Sequence, residues 1–250
     1  MSYGRSMEWV EFTRVDTEIT CGRERVVTEF SLSILVDERH LTTALITPMM
    51  IEEFVIGHLF GQEVIDTAAD IESVTIEKNV AHVTLHKRKS GVKRSTEKPA
   101  DFKVSRDDIF RGVNAILKSK IYAETEAIHS AGLFKSGAEP VCIAEDVGRH
   151  NALDKVIGYG IINEIDFNTI FATSTGRMVS DMVRKVCRAN IPIVATKTAV
   201  TNTGVEISRR HGLTVVGFVR DRGMKKSTDT GEKIITERSM KVYSFPERIL

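Results

Sequence analysis

From Ile128 to the C-terminus the chain alternates short apolar runs with helix-like segments: IHSAGLF, PVCIAE, EDVGRHNALDKVIG, TIFATS, RMVSDMVRKVCRAN, IPIVAT, GVEISRRH and LTVVGFV. This alternation constrains the fold more than any other feature. Runs such as TIFATS and IPIVAT carry no charge on either face, so they suit strands buried on both sides, with helices packed over them. The expected fold class is α/β, a three-layer sandwich around a mixed sheet. In such sheets ligands gather at the carboxyl ends of strands, where helix N-termini present unpaired N–H groups.

Upstream the pattern changes. Residues 26–46, VVTEFSLSILVDERHLTTALI, alternate around Asp37-Glu38-Arg39 as a hairpin does, and IESVTIEKNVAHVTL repeats this around Lys78-Asn79. Between them, Thr47 reads as the N-cap and Pro48 as the first residue of a helix carrying Ile51, Phe54, Val55, His58 and Leu59 on one face. HKRKSGVKRSTEKPADFKVSR sets eight Lys and Arg against two acids and reads as a linker, with 87–98 expected to pack poorly. Ser105 then caps a helix with Ile109, Val113, Ile116 and Leu117 on its apolar face. The expected division is a small α+β unit over residues 1–90 and the α/β domain over 91–250.

Charge and cysteine usage narrow the function classes. With 35 Lys and Arg against 34 Asp and Glu, the formal net charge is +1, which gives no general field for nucleic acid or an anionic membrane. No stretch approaches the roughly 20 apolar residues of a membrane span, and MSYGRSMEWVEF lacks the apolar run of a signal peptide. A soluble cytoplasmic chain is expected. Cys21, Cys142 and Cys187 are few, odd in number and far apart, so reduced thiols and no metal site are expected.

Three polar constellations fall at expected strand ends. The first runs from Glu145 to Lys155 and holds Asp146, Arg149, His150, Asn151 and Asp154. The second is Thr173-Ser174-Thr175-Gly176-Arg177, with Ser180 and Asp181. The third is Phe218-Val219-Arg220 with Arg222. Each has a plain structural reading beside a functional one. Asp146 and Asn151 can cap a helix, Arg149 and Asp154 can form a surface ion pair, and a Ser/Thr/Gly loop is a common helix start. Read only from the Ser/Thr/Gly and Arg features, the chain is a nucleotide-binding α/β protein. Against the plain readings stands the concentration of Arg, His, Ser, Thr and Asp after apolar strands.

EDVGRHNALDKVIG, preceded by HSAGLF and followed by STGRMVSDMVRK, ANIPIVAT, GLTVVGFVR and VYSFPERI, resembles the FdhD family of formate dehydrogenase accessory proteins. TPMMIEEFVIGHLFGQEVI extends the resemblance into the first unit. The resemblance implies a homodimeric cytoplasmic sulfur carrier whose core is similar to cytidine deaminases. It implies sulfur taken as a persulfide from a cysteine desulfurase. That sulfur then passes to the molybdenum bis(pterin guanine dinucleotide) cofactor before formate dehydrogenase receives it. Cofactor binding is implied near GFVR, at Phe218, Val219, Arg220 and Arg222, with Ser174, Gly176, Arg177, His129, Asp146, Arg149, His150 and Asn151 as further candidates. The deaminase zinc signature is absent, which argues against a zinc hydrolase.

The chain departs from the family where sulfur chemistry is expected. The family's C-x-x-C loop corresponds to HKRKSGVKRSTEKPADFKVSRDDIF, which holds no cysteine; Glu126-Ala127 replaces a glycine pair before His129, and Ala199-Val200-Thr201 an "APT" turn. A persulfide needs an accessible thiolate near positive charge. Cys142 and Cys187 lie among apolar residues, whereas Cys21 stands beside Arg23 and Arg25 and is the available stand-in. Two readings stay open: a sulfurtransferase with an altered sulfur site, and a cofactor-binding chaperone that carries no sulfur.

Overall fold

The structure, a computed structural model, describes residues 6–86, 102–125, 127–220, 225–226, 233–234 and 238–250. The basic stretch 87–98, Glu126 and Arg222 lie outside the described residues. In chain order the strands are β1 (Met7–Val15), β2 (Ile19–Val27), β3 (Phe30–Val36), β4 (Arg39–Ile46), β5 (Ile71–Glu77), β6 (Val80–Leu85), β7 (His129–Phe134), β8 (Pro140–Asp146), β9 (Phe171–Ser174), β10 (Ile193–Thr196), β11 (Thr214–Arg220), β12 (Lys225–Lys226), β13 (Lys233–Ile234) and β14 (Ser239–Val242). The α-helices are α1 (Ile51–Gly61), α2 (Arg106–Leu117), α3 (Lys120–Thr125), α4 (Arg149–Ile162), α5 (Ser180–Arg188) and α6 (Asn202–His211). Among the described residues no helix is long and apolar enough to cross a membrane.

The chain forms two compact units, each assembled from several segments. Met1–Arg94, Ser119–Ser130 and Ala144–Glu164 make the first; Ser95–Lys118, Ala131–Ile143 and Ile165–Leu250 make the second. Helices α3 and α4, which a division at residue 90 assigns to the α/β domain, are part of the first unit.

In the first unit the two expected hairpins form one sheet of order β4-β3-β6-β5, with β3 and β6 parallel at its centre. The β3–β4 turn puts both Asp37 and Glu38 at positive φ (47° and 63°), the backbone a two-residue hairpin turn needs to match strand twist. Helix α1 starts later than Thr47 and Pro48 suggest: its N-cap is Met50, in the left-handed region and without a side-chain cap. Thr47 is fully buried, and its hydroxyl accepts from the Val147 N–H at 3.2 Å, so it ties the chain to α4 instead of capping α1. Nor is α1 buried on one face only, because Ile56 and Phe60 are buried alongside Ile51, Phe54, Val55 and Leu59.

Burial on a second face follows from how α1 meets α4. A Cβ on Gly158 would lie 1.8 Å from the Glu53 carbonyl oxygen, and one on Gly57 would lie 1.9 Å from that of Asp154. The helices therefore cross backbone to backbone, which only glycine at both positions permits. The first unit also contains the β1–β2 ribbon, whose antiparallel register runs unbroken from Met7 opposite Val27 to Val15 opposite Ile19. The hairpin expected over 26–46 accordingly starts later, at Phe30, because Val26 and Val27 end the ribbon.

The second unit is built on a mixed sheet of order β14-β11-β10-β9-β7-β8. Strands β9, β10 and β11 are parallel, while β7 and β14 run antiparallel to their neighbours. Ser105 caps α2 by accepting from the Asp108 N–H at 3.0 Å. That helix buries Ile109, Phe110, Val113 and Ile116 against Phe134, Phe171, Ile193, Ala195 and Val216. Helices α5 and α6 make the crossovers between the parallel strands. The C-terminal VYSFPERI is a clasp: Ser244 Oγ donates to the Leu213 carbonyl (2.8 Å) and accepts from the Val215 N–H (3.0 Å), and buried Arg248 donates to the Pro192 carbonyl (3.3 Å).

Candidate functional site

The long EDVGRHNALDKVIG signature splits into residues that hold the first unit together and residues that are left over. Asp146 is fully buried at the end of β8. Its carboxylate accepts from the N–H groups of Thr47 (3.0 Å) and Gly148 (2.9 Å), from Asn151 Nδ2 (2.9 Å) and from Lys155 Nζ (2.6 Å). Lys155, also fully buried, uses its remaining ammonium protons on the carbonyls of Thr47 and Glu145, both at 3.0 Å. Burial pushes the Lys155 ammonium below its ordinary value, against the pull of Asp146, Glu53 and Glu145. Every lone pair and proton of this pair is spent, which is the condition under which a buried ion pair is tolerated.

Asn151 also donates to the Leu45 carbonyl at 2.7 Å, Glu145 accepts from the Tyr122 N–H at 2.8 Å, and Asp154 sits 3.4 Å from His58 Nδ1. Asp154 is therefore turned toward α1 and makes no surface pair with Arg149. Arg149 and His150 remain. Both are half-buried in the first turn of α4, and the Nε of Arg149 is buried without a hydrogen-bond partner. A buried guanidinium N–H with no acceptor is costly, so it is a natural place for a ligand oxygen. His129 is half-buried at the start of β7, and both histidines have interactions within the protein.

In the second unit the loops after β9 and β10 are tied to each other and to Phe218 within β11 by one run of hydrogen bonds. The Gly176 N–H donates to Ser174 Oγ (3.0 Å), Thr196 Oγ1 donates to the Gly176 carbonyl (2.7 Å), the Thr198 N–H donates to Thr196 Oγ1 (3.1 Å) and the Phe218 N–H donates to the Thr198 carbonyl (2.9 Å). Ser174 and Gly176 are thereby buried and occupied with each other. This bond takes up the Gly176 amide and fixes the shape of the loop. Arg177 is the exposed cation of this turn.

At β11 the register against β14 shifts between Gly217 and Arg220, and Phe218 takes φ 53°. A left-handed phenylalanine inside a strand costs on the order of 1 kcal/mol, and this kind of strain concentrates at functional positions. The bulge also resets the side-chain alternation. Val216 and Val219 both face the α2 core, and Phe218 is displaced to a half-buried place of its own. Over its ring lie the Arg220 guanidinium, 5.3 Å from the centroid, and the Lys241 ammonium, 5.0 Å away. Lys241 comes from β14, a partner that sequence proximity does not reveal.

The cysteines sort by environment. Cys142 is buried, and burial pushes the Cys187 thiol up to about 12. Cys21 is exposed on β2, on the same ribbon face as Arg23 and Arg25, with its Sγ 3.9 Å from Thr13 Oγ1. Among the described residues no group of three or more His, Cys, Asp or Glu is placed to hold a metal ion.

The chain is 30% identical to the sulfur carrier protein FdhD of Methanothermobacter thermautotrophicus, covering 96% of this chain and 98% of that one. It is 29% identical to the sulfur carrier protein FdhD of Geobacillus kaustophilus, over 85% and 91% of the two chains. A crystal structure from Desulfotalea psychrophila, assigned as a formate dehydrogenase accessory protein, superposes with a TM-score of 0.82 at 27% identity, covering 98% of this chain and 100% of that one. The FdhD/NarQ family model matches residues 27–100 and 89–250, and the chain belongs to the FdhD/NarQ family.

Proposed function

We propose that this chain is a cytoplasmic accessory protein of formate dehydrogenase maturation that holds the molybdenum bis(pterin guanine dinucleotide) cofactor as cargo. A cysteine desulfurase would act before it, and formate dehydrogenase would receive the cofactor after it. The observation that carries the reading is the bulged Phe218 with Arg220 and Lys241 over its ring. Guanidinium and ammonium groups suit the diphosphate of such a cofactor, and the ring beneath them holds the two cations together. Exposed Arg177, in the turn after β9, adds a further cation in the same unit. The mixed sheet with parallel β9, β10 and β11 supports a core similar to cytidine deaminases, here put to binding.

The test is calorimetric titration of the full chain with guanosine diphosphate. Binding that is weakened in both Arg220→Ala and Lys241→Ala supports the reading. Absence of binding, or unchanged binding in both variants, defeats it.

A second reading adds sulfur transfer through this chain's own thiol, and Cys21 favours it by being exposed on a face shared with two arginines. Incubation with a cysteine desulfurase and cysteine, followed by persulfide labelling, decides between them. A label lost in Cys21→Ser establishes the carrier, and no label leaves the binding reading alone.

A further inference from the structure

The cofactor reading gives no role to residues 196–201, the end of β10 and the loop after it, yet both of the segments it uses are fastened to them. On one side the Lys197 N–H donates to the Ser174 carbonyl (3.3 Å) and the Met178 N–H to the Ala199 carbonyl (3.0 Å), which brackets the turn that carries Arg177. On the other, the Phe218 N–H donates to the Thr198 carbonyl (2.9 Å), and a Cβ on Gly217 would lie 2.9 Å from Val200 Cγ2, so β11 lies hard against this loop where its bulge begins. A phenylalanine held at φ 53° persists only where its surroundings over-determine it, and the bond to Thr198 is part of that hold.

Where the two sides meet stands Thr196, fully buried. A threonine hydroxyl has one proton and two lone pairs. The proton goes to the Gly176 carbonyl at 2.7 Å, so the 3.0 Å contact with Thr198 Oγ1 is a donation from Thr198, and the second lone pair takes the Thr198 N–H at 3.1 Å. The oxygen is saturated, and its partners lead to different places. Gly176 is the neighbour of Arg177; Thr198, drawn to one oxygen by both its N–H and its hydroxyl, has its carbonyl aimed at Phe218, two positions before Arg220. Satisfying buried backbone groups explains the bond to Gly176. It does not explain why half-buried Thr198 is held from two sides. We propose that the Thr196 hydroxyl is a positioning group for anion binding: it locks the Arg177 turn and the Phe218 bulge into one arrangement, and so aims Arg220, without touching the ligand. The ligand in this proposal rests on the cofactor reading, whereas the linkage rests on the hydrogen bonds alone.

Valine keeps the shape of threonine and lacks the hydroxyl, while serine keeps the hydroxyl and lacks the methyl. Calorimetric titration of the full chain with guanosine diphosphate should show binding weakened about tenfold or more in Thr196→Val, the scale of one misaligned charge-assisted bond, and within about threefold of the parent in Thr196→Ser. Thr196→Cys, whose thiol donates and accepts weakly, should fall between the two, and it keeps the series readable if the valine variant does not fold. A threonine with only a packing role would give the opposite order, because serine is the variant that empties buried volume. Amide hydrogen exchange followed by NMR reads the linkage without any ligand: the Phe218 amide should exchange about tenfold faster or more in Thr196→Val or Thr196→Cys, and near the parent rate in Thr196→Ser. Equal affinities across the variants, the packing order, or a Phe218 amide indifferent to loss of the hydroxyl each overturns the proposal. A parent that binds no guanosine diphosphate defeats the cofactor reading, and the Phe218 exchange then decides the positioning role by itself.

Discussion

Replacing Lys155 by methionine tests whether the signature's charged residues are architecture. The ammonium donates to Asp146 at 2.6 Å and to the carbonyls of Thr47 and Glu145 at 3.0 Å each, and neither charge of the pair reaches solvent. Methionine keeps the length and apolar stem but leaves Asp146 as a buried charge with three neutral donors, and two buried carbonyls with one partner fewer. Breaking a buried pair from one side costs roughly 3–5 kcal/mol. The three remaining donors to Asp146 place the expectation at the lower end, about 3 kcal/mol. Asp146→Asn combined with Lys155→Met removes both charges, and the double variant should recover at least about 1 kcal/mol relative to Lys155→Met. Urea denaturation followed by circular dichroism, read as a change in midpoint at constant slope, measures both. A Lys155→Met cost below about 1 kcal/mol, or a double variant weaker than the single by the full Asp146→Asn cost, would refute the reasoning. The pH dependence has a definite sign. A lysine whose folded-state value is lowered binds its proton less well in the folded state, so stability should rise with pH between that lowered value and the ordinary 10.5, and Lys155→Met should remove the rise.

Arg149→Ala and His150→Ala should change stability by less than about 0.5 kcal/mol, yet abolish formate dehydrogenase maturation in a complementation assay; a wild-type phenotype would make both residues incidental. Arg220→Ala should weaken guanosine diphosphate binding by about 1.5–3 kcal/mol, the usual loss for a charge-assisted bond, as read by calorimetry. Alkylation near pH 8 followed by mass spectrometry should modify Cys21 quickly and spare Cys187, whose thiol is held protonated up to about 12; fast modification of Cys187 would contradict its burial. Gly158→Ala should destabilise the first unit by more than about 2 kcal/mol in thermal unfolding despite alanine's better helix propensity, because its Cβ would meet the Glu53 backbone at 1.8 Å.

Local pattern carried the strands and helices of this chain. The charge-free runs TIFATS and IPIVAT became the buried parallel strands β9 and β10, Ser105 became the cap of α2, and Asp37-Glu38 became the turn of a hairpin. Each of these depends on residues within a few positions of one another, where periodicity and turn chemistry act. The family itself was legible for the same reason, as a long contiguous signature. Tertiary structure alone decided what the signature's residues do. Thr47 looked like a helix cap and is instead held against Asp146, 99 positions away, while Lys155 finds the Thr47 carbonyl across 108. The glycines Gly57 and Gly158 show their purpose only where two helices touch. Phe218 enters the candidate site through a bulge and a lysine from β14, neither of which has a local marker. Periodicity reports which face of an element is apolar. A buried charge pair, a backbone crossing and a strained aromatic are defined by groups that meet only after the chain has folded.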